Sequence, residues 1–81
     1  MFVKFENTDV ARKFVDDVNM LPFDVNIADG SRIFDAKSLM AVLNLDFSKK
    51  FLVTPIIENK LTQITAFNDT IRKYEYKEGD A

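Results

Sequence analysis

The chain has no cysteine and no histidine, and only two glycines and two prolines among its 81 residues. Without cysteine there is no disulfide, no thiolate nucleophile and no ordinary structural zinc site. Without histidine as well, the usual metal-binding and nucleophilic constellations have no members. No glycine-rich loop or nucleophile elbow positions the serines, threonines and lysines that remain. Asp16 and Asp17 are adjacent on a helical stretch and point to different sides of it, so they read as a solvated face and not as an acid/base pair. The expectation is a protein that is not an enzyme and takes no cofactor and no metal. The formal charge of −2 leaves no basic footprint, and the pairs Lys49-Lys50 and Arg72-Lys73 are too short for a phosphate-binding patch, so no nucleic acid is expected. No apolar run approaches the ~20 residues of a membrane span. The opening Met1-Phe2-Val3-Lys4-Phe5 lacks the layout of a signal peptide. These absences point to a soluble, cytoplasmic protein without a membrane partner.

What is present is a normal globular share of hydrophobic residues, 47%, in a chain long enough for one core. Residues 2–5 read as a strand. Asn7 and Thr8 offer N-cap oxygens, with Asp9 in the first turn. Val10, Phe14, Val18 and Leu21 then form a helical stripe, widened by Ala11 and Val15. Arg12, Lys13, Asp16, Asp17 and Asn19 face away, and Pro22 closes the segment.

Phe23, Val25 and Ile27 alternate with Asp24, Asn26 and Ala28 as a half-buried strand does. Asp29-Gly30 is a two-residue hairpin signal. Ser31 to Phe34 is the returning strand, with Ile33 expected to face inward. Residues 36–45 read as a short second helix capped by Ser38, followed by a loop in which Phe47 folds back on the core. Phe51 to Thr54 is the fourth strand, where Pro55 predicts a bulge, an edge or the end of pairing. A last helix starts near Glu58 or Asn59 and presents Leu61, Ile64, Phe67, Ile71 and Tyr74 on one face. Residues 1–76 form one domain and 77–81 a disordered tail.

This order, β-α-β-β-α-β-α, implies an α+β fold with an antiparallel sheet covered on one face. The run Asp24-Val25-Asn26-Ile27, Asp29-Gly30 and Asp35-Ala36-Lys37-Ser38-Leu39-Met40 resembles the second strand to second helix of HPr, the phosphocarrier family of the bacterial sugar phosphotransferase system. The similarity covers roughly residues 10–57. It implies an HPr-like open-faced sandwich, with a four-stranded antiparallel sheet and three helices on one face. A ferredoxin-like domain shares most of the order but normally has two long crossover helices, whereas the second helix here is short.

The family's phosphoacceptor motif is His-Ala-Arg-Pro, and the matching residues here are Val10-Ala11-Arg12-Lys13. Valine supplies no nucleophilic nitrogen, so phosphohistidine transfer is not expected. The family's glycines after the second helix are also replaced, by Asp46 and Lys50.

Ser38 reads as an N-cap from the residues alone, and the resemblance adds phosphorylation by a dedicated serine kinase. For Leu39, Met40 and Leu43 the resemblance implies an exposed apolar patch that docks proteins, although their spacing also sends some of them into the core. Arg12 and Lys13 stand in a first helical turn, where cations are mildly unfavourable. Either they mark an anion site, as the resemblance suggests, or they are solvated charges offset by Asp9, Asp16 and Asp17. The expected function is a non-catalytic, regulatory or adaptor HPr-like protein that binds protein partners through the second helix. The alternative is a small α+β interaction or dimerisation module unrelated to phosphotransfer. The oligomeric state is left open.

Overall fold

The computed structural model describes residues 1–58 and 60–77. Four strands and three helices follow one another as β1 (Phe2–Val3), α1 (Thr8–Asn19), β2 (Asp24–Asp29), β3 (Arg32–Asp35), α2 (Leu39–Leu43), β4 (Phe51–Ile56) and α3 (Leu61–Ile71), with a 3₁₀ turn at Arg72–Tyr74. The strands form one antiparallel sheet in the order β1-β4-β2-β3. The fold is therefore α+β with an open sheet. Side chains alternate across each strand. Val3, Val25, Ile27, Phe51 and Val53 are buried, and they meet Ala11, Phe14, Val15, Val18, Val42, Phe67 and Ile71 from the helices in one core. Phe5, just past β1, is at its centre, with ring centroids 5.0 Å from Phe14, 5.8 Å from Phe47 and 5.9 Å from Phe51.

The first helix begins where its cap requires. Asn7 is extended, and its Oδ1 accepts from the Val10 N–H at 2.9 Å, which satisfies one of the donors that a helix start leaves open. The α1 stripe is buried as its spacing predicts, with Val10 partly covered.

The hairpin sits one residue later than its Asp-Gly signal. Asp29 pairs with Arg32, so the loop residues are Gly30 and Ser31, and Gly30 takes φ +60°. Ile33 is on the sheet face away from the core. It lies opposite Ala28 and is 65% exposed, whereas Phe34 lies opposite Ile27 and packs on the core. The inward expectation for Ile33 fails because directly opposite residues share a face: an Asp29-Gly30 loop would set it against Asn26 and the observed loop sets it against Ala28, both on the face away from buried Val25 and Ile27.

Pro55 stays in register with Val25. Val53 donates its N–H to the Met1 carbonyl on the β1 side, and two residues on, the missing donor of Pro55 faces that same side. The two-residue β1 does not extend that far, so β4 is locally an edge strand and the proline is tolerated.

α2 is shorter than residues 36–45. Residues 35–38 make a turn instead, in which Lys37 N–H donates to Asp35 Oδ1 at 2.9 Å and Ser38 N–H to the Asp35 carbonyl at 3.1 Å. α3 begins at Leu61, not near Glu58, with Lys60 at the N-cap and no side-chain cap bond. Leu61 is consequently in an exposed first turn, and only Phe67, Ile71 and Tyr74 of the expected stripe are fully buried. The expected tail at 77–81 lies, from residue 78 onward, outside the described residues. No helix among the described residues is long and apolar enough to cross a membrane.

Candidate functional site

The candidate site is the short helix α2 and the hairpin beside it. Its position depends on contacts from α1. Asn19, at the end of α1, donates through Nδ2 to the Val15 carbonyl at 2.8 Å and to the Lys37 carbonyl at 3.1 Å. The Lys37 ammonium donates to the Leu21 carbonyl at 2.8 Å. Two side chains thus pin the turn before α2 to the end of α1. Asn19 had the pattern of a solvated residue, and nothing local in its segment marks it as a bridge.

Ser38 caps α2, its Oγ accepting from the Ala41 N–H at 3.3 Å. The three apolar residues behind it separate. Leu39 and Leu43 are half-buried against the core, whereas Met40 is 76% exposed. A five-residue helix has too few turns to give all three the same surroundings.

A groove of about 400 Å³ runs between α2 and the β2-β3 hairpin, lined by Ala41, Asn44 and Leu45 on one side and Asp29, Arg32 and Phe34 on the other. Its walls mix apolar and charged groups. The Arg32 guanidinium lies 5.2 Å from the Phe34 ring centroid, and Lys49 Nζ is 4.0 Å from Asp29 Oδ2. At its end Asp46 accepts from Ser48 Oγ at 2.7 Å and Ser48 N–H at 3.0 Å. Those bonds, helped by the Lys49 charge, hold its carboxyl below the ordinary value. The groove needs the hairpin folded against the helix, which no single stretch of sequence displays.

Arg12 and Lys13 are both exposed in the first turns of α1. They do not converge on one place: Lys13 lines a shallow depression with Lys4, Glu6, Val10 and Lys73, and Arg12 is outside it. The two glutamates of that depression, Glu6 and Glu75, offset its lysines.

Asp17 does not belong to a solvated face. Its Oδ2 accepts from the Tyr74 hydroxyl at 2.6 Å and from Lys73 Nζ at 2.9 Å. Burial pushes its carboxyl up, but the two hydrogen bonds and the Lys73 charge outweigh this and hold it below the ordinary range. Burial and the neighbouring Asp17 carboxylate raise the Tyr74 phenol well above its usual value. This cluster ties the 3₁₀ turn to α1.

No family model, curated protein or solved structure matches this chain.

Proposed function

We propose that the chain is a non-enzymatic, HPr-like module that docks partner proteins through α2. The observation that carries this reading is Met40, a large apolar side chain 76% exposed at the start of α2. An unbranched thioether held at the surface suits a contact that must adapt to a partner. A short second helix and a final third helix, in the order the resemblance implies, support the HPr-like reading. So does Ser38 as the cap of α2. Val10, in the place of the phosphoacceptor histidine, is what removes the carrier reaction.

Intact-mass spectrometry after two incubations tests this. With phosphoenolpyruvate and enzyme I of the phosphotransferase system, the chain gains no phosphoryl group. With ATP and the HPr serine kinase it gains one, which is lost in Ser38→Ala and slowed in Met40→Lys. An acid-labile phosphoryl group in the first incubation overturns the non-carrier reading. No addition in the second overturns the HPr-type docking.

A further inference from the structure

The uncovered face of the sheet carries a continuous row of apolar side chains. Phe2 pairs with Leu52, Leu52 with Ala28, and Ala28 with Ile33, so one row crosses all four strands at a single level. Phe2 is 44% exposed, Leu52 39% and Ile33 65%. Tyr76 extends the row beyond β1, where its N–H donates to the Phe2 carbonyl at 2.8 Å. The Lys50 ammonium, 4.8 Å from the Phe2 centroid and 5.4 Å from that of Tyr76, places both rings on the same side.

The charges on this face are segregated along the strands. Lys4 and Lys50 stand on one side of the row, just outside the Val3–Phe51 pair. On the other side come Thr54, Asn26 and Asp35, then Asp24 opposite Ile56. The face is basic at one end, apolar along the row and acidic at the other end.

We infer that this face binds a second copy of the chain, sheet against sheet, about a two-fold axis lying along the row. That axis lays the row on itself and turns the acidic end of each copy toward the basic end of the other. An isologous contact needs a self-complementary surface, and a face carrying opposite charges on either side of an apolar row is one. A wholly apolar or singly charged face would not select a copy of itself. Neighbouring strands ~4.8 Å apart and a rise of ~3.3 Å per residue make the face about 20 by 20 Å. Two such faces remove roughly 800–1,000 Å² from water, below the standard size of stable interfaces and in the range of weak, transient ones, so the dimer is reversible with a dissociation constant on the order of 100 µM. This surface is separate from α2 and does not depend on the docking proposed there.

Sedimentation velocity over a concentration series, from about a tenth to ten times that constant, tests the inference. The apparent mass rises toward twice that of one chain. Ile33→Lys, at an exposed position, keeps the circular dichroism spectrum and thermal transition and weakens association at least about tenfold, because it buries like charges at the contact. Met40→Lys leaves association unchanged. As a second readout on the unaltered chain, amide shifts that depend on concentration fall on Phe2, Leu52, Ala28 and Ile33 and spare α2 and α3. A chain that stays monomeric throughout overturns the inference. So does a dimer that survives Ile33→Lys with full affinity, or one whose shifts fall on α2.

Discussion

The Tyr74 hydroxyl donates a 2.6 Å hydrogen bond to Asp17 Oδ2 across 57 residues of sequence, and the Tyr74 ring stands edge-on to Phe14, with centroids 5.3 Å apart. One side chain thus holds the 3₁₀ turn to the first helix through both a polar and an aromatic contact.

Asp17 and Tyr74 make stability fall at both ends of the pH scale. The folded pKa of Asp17 is below its ordinary 3.8, so its contribution is complete above that pH and is lost as pH falls through the folded pKa. The folded pKa of Tyr74 is raised, so its contribution is complete below the ordinary 10.0 and declines as pH rises beyond it. Tyr74→Phe keeps the ring but removes the bond, at a cost of about 1–2 kcal/mol near pH 7. Urea unfolding of both proteins at pH 3, 7 and 10.5 checks this: the variant has the flatter profile at each end.

Met40 and Leu39 respond differently to charge. Met40→Lys changes stability by less than about 0.5 kcal/mol, because the side chain is exposed. Leu39→Asp costs about 1–3 kcal/mol, because Leu39 packs on the core. Thermal unfolding separates the two. Equal destabilisation would place Met40 in the core and remove it as a docking residue.

Phe5→Ala costs about 3–5 kcal/mol, since the ring is fully buried among three other phenylalanines. Phe5→Leu keeps most of the volume and costs less. Denaturant midpoints should rank them in that order.

Gly30→Ala costs about 1 kcal/mol, all of it from backbone strain. The residue sits at φ +60°, while a Cβ there would meet nothing within 4 Å. Gly30→Asn, which tolerates that conformation better, recovers part of the loss in the same unfolding measurement.

Local chemistry determined which segments became helices and strands. Asn7 capping Val10, the four-residue stripe of α1 and the Asp-Gly signal at the hairpin are each complete within a few residues, so the sequence displays them. Ser38 as the cap of α2 was legible for the same reason. Tertiary structure decided what depends on register and on partners distant in the chain. Ile33 faces out because it pairs with Ala28, on the sheet face away from buried Val25 and Ile27. Asn19 and Asp17 look like solvent-facing polar residues from their own helix, and become a bridge and a clasp only when Lys37 and Tyr74 arrive. The apolar row from Phe2 to Ile33 draws one residue from each of four strands. Periodicity along the chain assigns a face within one segment, but only the hydrogen-bonded pairing of separate strands sets which residues share a level.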